Sequence, residues 1–120
     1  MRYKVRSESP ATRLNAYRVM WIFVLYDLPT ETAAQRRVFA IFRKKVQKDG
    51  FQMFQFSIYI RHCPSKENAQ VHIKRVKSFL PKEGKICIFL VTDQQFSLME
   101  LFYSGKQDQM PPTVQQLEMF

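Results

Sequence analysis

The chain has 120 residues, which is enough for one domain with its own core and too few for several. Its formal net charge is +9 and its sequence pI is about 9.8, so a polyanionic partner is favoured, nucleic acid first and an anionic membrane surface second. The longest apolar run, Val19–Tyr26, is far shorter than the roughly 20 residues that span a bilayer. The start of the chain is polar and basic, unlike a signal peptide. We therefore expect a soluble, cytoplasmic protein that does not insert into membranes.

The cysteines and histidines are too few to predict a structural metal. Cys63 and Cys87 are the only cysteines, and His62 and His72 are the only histidines. Two thiols without a second pair make a poor zinc site, and a cytoplasmic protein keeps its thiols reduced. We expect both cysteines to be small core residues.

The first predicted element is a strand over Val19–Tyr26, preceded by a basic arm over residues 1–17. The strand is apolar without alternation, as is typical of a strand that is covered on both faces or lies at a dimer interface. Asp27-Leu28-Pro29 ends it. The strand therefore delivers a single carboxylate at its exit.

The next element is a predicted helix from about Thr32 to Lys48. Thr32 and Gln35 fit a capping box, although Thr30 is an equally good cap. Asp49-Gly50 ends the helix, because glycine suits the left-handed position after a helix C-terminus.

Residues 51–61, FQMFQFSIYIR, alternate as a bent strand or as two strands with a tight joint near Phe54–Gln55. One row contains Phe54, Phe56, Ile58 and Ile60, and the other contains Gln55, Ser57, Tyr59 and Arg61. We expect the first row to pack under the helices and the Tyr59 row to lie on the opposite face of the sheet.

A second helix is predicted from Pro64-Ser65 to about Leu80, with Pro81 after it. Strands over 85–92 and 96–103 follow, with a turn at Asp93-Gln94-Gln95 between them. Residues 104–120 contain Gly105, Pro111 and Pro112, so we expect a flexible tail.

The predicted order is β-α-β-β-α-β with one more strand, which is the ferredoxin-like pattern of an α+β fold over residues 18–103. Both helices are expected on one face of an antiparallel sheet. The other face must be covered or functional, and a face-to-face homodimer is one solution.

Three segments together resemble the CRISPR-associated protein 2 family: FVLYDLPT, the basic helix RRVFAIFRKKVQKDGF, and MFQFSIYIRHC. Residues 19–103 resemble that family in order and spacing, and the ending PPTVQQLEMF resembles the version found beside RNA-guided type II systems. The resemblance implies a two-fold dimer whose fifth strand pairs with the partner subunit. It also implies a scaffold that holds duplex DNA between dimers of the CRISPR integrase subunit, and a reported magnesium-dependent nuclease activity in some members.

Asp27 is the candidate catalytic and metal-binding residue. Hydrolysis of a phosphodiester by Mg²⁺ usually requires several carboxylates, and one chain offers one well-placed candidate. Two-fold symmetry could supply a second Asp27 near the dimer axis, where two close carboxylates favour a bound cation or one raised pKa. The alternative is that Asp27 caps the turn into the first helix.

Basic residues on the two helices are the candidate DNA contacts. They form a common outer surface that suits phosphate contacts without sequence readout. The candidates are Arg36, Arg37, Arg43, Lys44, Lys48, Lys74 and Lys77.

Two other functions fit the same fold. A single-stranded RNA-binding module would stack bases on exposed aromatic residues such as Tyr59. A stand-alone, toxin-like, metal-dependent ribonuclease of similar fold is the enzymatic alternative.

The end of the tail is the candidate partner-binding segment. An apolar end of a soluble chain suits strand addition or pocket insertion on another protein, and by resemblance that protein is the integrase subunit. Folding back on its own dimer is the alternative. The candidate residues are Val114, Leu117, Met119 and Phe120.

Overall fold

The computed structural model describes residues 18–108. The arm and the partner-binding segment of the tail lie outside the described residues. The elements in chain order are β1 (Met20–Asp27), α1 (Ala33–Lys48), β2 (Gln52–Gln55), β3 (Ile58–Cys63), α2 (Lys66–Lys77), β4 (Lys85–Thr92), α3 (Asp93–Ser97), β5 (Leu101–Tyr103) and β6 (Lys106–Asp108).

The first four strands form one antiparallel sheet in the order β2-β3-β1-β4. With α1 and α2 as the two connections, this is the predicted ferredoxin-like arrangement in an α+β fold. Strand β1 is central: it pairs with β3 from Met20↔Cys63 to Leu25↔Ile58, and with β4 along its whole length to Asp27↔Lys85. This position explains why the strand is apolar on both faces.

The main core lies between the sheet and the two long helices. Alternate residues of β1 supply Ile22, Val24 and Tyr26, all at most 5% exposed. Phe42 and Val46 of α1, and Ala69, Ile73 and Val76 of α2, cover them. Helix α1 begins as predicted, with Thr32 as N-cap in a capping box with Gln35, and Asp49 follows it as C-cap. Helix α2 ends at Lys77, three residues before the predicted end at Leu80, whose side chain is 42% exposed.

Residues 52–63 form two strands joined at Phe56–Ser57, where Ser57 has φ +66°. The alternation of the pair is as predicted, but its orientation is reversed. Tyr59 is 1% exposed in the core beneath the helices, whereas Ile58 and Ile60 lie on the other face of the sheet. The Tyr59 row also contains Gln55, Ser57 and Arg61, so the more apolar row is not the one that the helices cover.

The prediction of one strand over 96–103 is wrong in its first half. Residues 93–97 form the short helix α3, and only Leu101–Tyr103 is a strand. Thr92 and Gln95 make a capping box at the start of α3, and Phe96 is fully buried against Trp21, with the ring centroids 4.0 Å apart. A local cap and one aromatic contact therefore favour the helix here.

Strands β5 and β6 pair as a hairpin, with Phe102 opposite Gln107. Residues 106–108 are therefore in a strand, although the sequence predicted a linker from Ser104. Cys63 is buried as expected, but Cys87 is exposed in the single chain, so its expected core role is wrong. Among the described residues, no helix has the length and apolar character that a membrane span requires.

Candidate functional site

Asp27 lies at the exposed exit of the central strand. It shares a sheet face with Leu25, Phe23 and Trp21, which is the face opposite the two long helices. Within residues 18–108 its carboxylate makes no hydrogen bond or ion pair. The first helix is capped by Thr32 instead, so the alternative in which Asp27 serves as the cap is wrong.

The backbone beside Asp27 depends on a glycine that the sequence analysis did not single out. Gly84 has φ +91°, and a Cβ there would lie 2.7 Å from the Asp27 carbonyl oxygen and 2.6 Å from Leu28 Cδ2. A side chain at this position would therefore push apart the two segments that meet at the strand exit. The glycine directly before a predicted strand was the available signal.

A metal at Asp27 would need ligands beyond those that residues 18–108 bring together. In the described part of the chain, no group of three His, Cys, Asp or Glu side chains lies close enough to hold an ion. The residue opposite Asp27 is Lys85, a cation. Mg²⁺ binds through one or two carboxylates and keeps several waters, so Asp27 fits it as one ligand among several.

The predicted DNA contacts lie on the outer surfaces of both long helices. Helix α1 carries six basic residues and no acidic one, and all six are exposed. Helix α2 adds four exposed basic residues and one acidic residue, Glu67, in its first turn. The following candidates are exposed and make no ion pair with a described residue: Arg36, Arg37, Arg43, Lys44, Lys48, Lys74 and Lys77.

Arg36 differs from the other candidates because its guanidinium is already engaged. Its Nη1 donates hydrogen bonds to the carbonyl oxygens of Thr30, at 3.1 Å, and Glu31, at 3.0 Å. Arginine has five N–H donors, so others remain for a phosphate. Arg36 thus holds the loop that follows Asp27 as well as presenting a charge.

A polar network that sequence reasoning missed ties the helices together beneath this surface. Asp49 accepts hydrogen bonds from His72 Nδ1 at 2.9 Å and from Arg75 Nη1 at 3.0 Å. The other nitrogen of His72 lies 3.0 Å from Arg61 Nη2. Because arginine only donates, His72 Nε2 accepts and its proton is on Nδ1. The network fixes the C-terminal end of α1 against α2.

A groove runs between the C-terminal ends of the two helices, directly over this network. Lys45 and Lys48 line one side, and Arg75 lines the other. Lys45 Nζ also lies 5.7 Å from the centroid of the Phe79 ring. The groove therefore continues the basic surface from one helix to the other.

The opposite face of the sheet is apolar. Trp21, Phe23, Ile60 and Phe96 form a second cluster there. Phe89, which is 41% exposed, stacks on Phe23 with a centroid distance of 4.9 Å. Helix α3 covers the Trp21 end of this face, while the Asp27 end lies open in the single chain.

Comparisons with known proteins identify the family of this chain. The model of the family "CRISPR associated protein Cas2" matches residues 20–99. The chain belongs to the Cas2 family.

Relatives from several organisms carry the name "CRISPR-associated endoribonuclease Cas2". The protein from Flavobacterium psychrophilum is 56% identical over 109 residues, covering 91% of this chain and 95% of the relative. The Parvibaculum lavamentivorans protein is 40% identical, covering 84% and 100%. The Paracidovorax avenae protein is 36% identical, covering 89% and 99%. The family resemblance of the sequence is thereby confirmed.

The match to the Cas2 family model covers some candidate sites and omits others. It includes Asp27 and both basic helices, and it ends before the hairpin. The proposed partner-binding residues lie outside both the matched range and the described residues, as does the basic arm. Tyr59 cannot stack on an RNA base as the RNA-binding alternative required, because it is buried beneath the helices.

Proposed function

We propose that this chain is a homodimeric scaffold subunit of a CRISPR spacer-acquisition complex that binds duplex DNA. The observation that carries the proposal is the basic surface of α1 and α2, on which α1 has no acidic residue at all. Side chains spread along two helix exteriors suit the phosphate backbone, which offers a regular row of charges. Such contacts position a duplex without reading its sequence.

The open apolar face of the sheet supports the homodimer. A second copy placed face to face would cover Phe89, Cys87 and Leu25, which lie on this face. The two-fold operation would bring the same patch of each copy together. The β5–β6 hairpin would pair with an edge of the second copy's sheet, because β2 and β4 are edge strands in the single chain.

A metal-dependent endonuclease activity at Asp27 is the second candidate function. It is favoured by the exposed carboxylate at the strand exit, and by relatives that carry the name endoribonuclease. When bound, Mg²⁺ would polarise a phosphate oxygen or activate a water. Asp27 and the Asp27 of a second copy would supply its protein ligands. The substrate would be RNA or DNA, and a toxin-like ribonuclease would use the same residue.

The tail is the proposed contact with the CRISPR integrase subunit. Its apolar residues, at positions 114–120, would insert into a pocket or add a strand on that partner. Deleting residues 112–120 should leave dimerisation and thermal stability nearly unchanged while weakening association with the integrase subunit. If the truncated chain co-purified with the integrase at full strength, the contact would lie elsewhere.

One variant separates the scaffold from the nuclease. Asp27→Asn keeps the size of the side chain and removes its charge. In the scaffold reading, Asp27→Asn binds a DNA duplex as tightly as the unmodified chain and supports spacer integration with the integrase subunit. In the nuclease reading, the unmodified dimer cleaves RNA or DNA only with Mg²⁺, and the variant does not. Loss of duplex binding in Asp27→Asn would contradict the scaffold reading.

A further inference from the structure

Phe56 presents an aromatic ring to solvent on a turn that is held in place. The side chain is 77% exposed, and the residue lies in the joint between β2 and β3. The next residue, Ser57, has φ +66°, and its carbonyl oxygen accepts a 3.0 Å hydrogen bond from the Tyr26 amide. The turn is therefore anchored to the central strand one residue before Asp27, so the ring has a fixed position beside the strand exit.

Other aromatic side chains support the Phe56 ring from within. Phe39 of α1 lies nearly parallel to it, with an interplanar angle of 24° and a centroid distance of 6.1 Å. Tyr26 meets Phe39 edge-on at 5.5 Å. Tyr26 in turn packs against Phe42 and Tyr59 in the core. The exposed ring is thus the outermost member of an aromatic series that begins in the core.

Arginines flank this series. Arg36 and Arg43 precede and follow Phe39 by three and four residues on α1, which places all three on one face of the helix. Burial raises the pKa of the Tyr26 phenol and Tyr59 adds to the rise, whereas the positive charge of Arg43 opposes it. Arg36 is held at the carbonyl oxygens of Thr30 and Glu31. Cations therefore stand beside the aromatic series at the Asp27 end of the sheet.

We propose that Phe56, supported by Phe39, is a stacking platform for one unpaired nucleobase, and that Arg43 and Arg36 contact the adjoining phosphates. An aromatic ring with cations beside it is the arrangement by which proteins hold single-stranded nucleic acid, because every base offers a π-face to the ring. The inference rests on the proposed nucleic-acid binding and adds to it that the bound molecule has an unpaired segment beside Asp27.

The charge distribution favours a nucleic acid over a protein as the ligand of Phe56. An exposed aromatic side chain also suits a protein interface, but α1 carries six basic residues and no acidic one. Phe56 packs against Phe39 of α1 and therefore lies on the helix side of the sheet. The apolar face proposed for the second copy is on the opposite side. A polyanion with flat apolar rings matches both the charge and the aromatic surface.

Fluorescence of 2-aminopurine tests the proposal, since stacking on an aromatic ring quenches it. Three probes share one DNA duplex. The first is blunt, the second has a short single-stranded DNA extension that contains 2-aminopurine, and the third has an RNA extension of the same sequence in its place. The proteins are the full chain and its Phe56→Leu, Phe56→Trp and Met53→Ala variants. Met53 is the matched control because it is 63% exposed on the adjoining strand β2. Sedimentation velocity of each variant reports its oligomeric state.

We expect Phe56→Leu to weaken binding of the extended DNA by roughly 5- to 150-fold, the range that base–aromatic stacking represents. Blunt-duplex affinity should stay unchanged, quenching should be lost, and Phe56→Trp should restore both quenching and affinity. Met53→Ala should match the unmodified chain. The ratio of the affinities for the DNA-extended and the RNA-extended probes identifies which of the two nucleic acids the platform prefers.

Two results would overturn the proposal while leaving duplex binding intact. The first is a Phe56→Leu variant that binds blunt and extended molecules like the unmodified chain, with quenching retained. The second is a changed oligomeric state of Phe56→Leu, which would assign the ring to a contact between copies. Failure of the unmodified chain to bind the blunt duplex would instead contradict the proposed scaffold function, and failure with every probe would overturn both.

Discussion

Trp21 Nε1 donates a hydrogen bond of 2.6 Å to Asp93 Oδ1, joining β1 to helix α3 across 72 residues of sequence. Asp93 is 1% exposed and Trp21 is 5% exposed. The indole also stacks on Phe96 of the same helix. This contact holds α3 over one end of the apolar sheet face, and so determines how much of that face is free for a second copy.

Replacing Asp93 with alanine should lower the free energy of unfolding by about 2 kcal/mol, because it leaves the buried Trp21 N–H without its acceptor. Asp93→Asn keeps an oxygen in place and should cost less. Urea unfolding followed by tryptophan fluorescence measures both, since Trp21 is the only tryptophan. Equal stability of the alanine variant and the unmodified chain would show that packing on Phe96 alone holds α3.

Gly50 is expected to tolerate alanine less well than Gly105, although both glycines have positive φ. Its φ is +90°, and a Cβ would lie 2.0 Å from Arg61 Nη1, whose guanidinium is held by His72. Gly105 has φ +79° with open space around it. Alanine at Gly105 should cost about 1–2 kcal/mol from backbone strain alone. Alanine at Gly50 should cost more in denaturant unfolding, because Arg61 must also move; equal costs would show that Arg61 moves freely.

The sequence was sufficient where local signals determine structure. The capping box at Thr32, the Asp49-Gly50 stop and the apolar run before Asp27 predicted α1 and the exposed carboxylate correctly. It was insufficient where a distant contact decides. Tyr59 lies under the helices because it pairs with Val24 of β1, whose side chain is in the same core.

The same limit explains the other differences between sequence and structure. Helix α3 has a local capping box at Thr92 and Gln95, but its burial depends on Trp21, far away in the chain. The Asp49–His72 pair likewise joins residues 23 positions apart. No periodicity or motif encodes such pairings. The order of the first four strands and the two long helices could be predicted, because each of these elements has its own local apolar pattern and stop signal.

The two thiols should report on dimerisation through their reactivity. Burial raises the pKa of the Cys63 thiol, more than the neighbouring Arg61 lowers it, and a buried, protonated thiol reacts slowly. Cys87 is exposed in the single chain and lies opposite Leu25 on the apolar face. We expect a maleimide to label Cys87 alone in dilute native protein, and more slowly as the protein concentration rises.

Cys87→Ser is the control and should stay unlabelled until urea exposes Cys63. Labelling of Cys87 at a rate independent of protein concentration would place the dimer contact elsewhere.

The basic residues of α1 should contribute phosphate contacts, which the salt dependence of DNA affinity can count. Each phosphate contact to duplex DNA adds roughly 0.9 to the slope of log affinity against log salt. A variant with Arg37, Lys44 and Lys48 changed to alanine should lower that slope by up to roughly 2.7, three times the single-contact value. It should weaken all duplex sequences alike, because phosphate contacts carry no base information.

The control for this variant removes the same charge elsewhere. Arg18, Lys82 and Lys106 are exposed and lie off the two long helices, so changing them to alanine lowers the net charge equally without touching the proposed surface. Fluorescence anisotropy over a salt series compares both variants with the unmodified chain. A general effect of net charge would shift both variants by the same amount. A loss of slope confined to the α1 variant is the expected result, because only there do the lost charges lie along one helix face that a duplex backbone can follow.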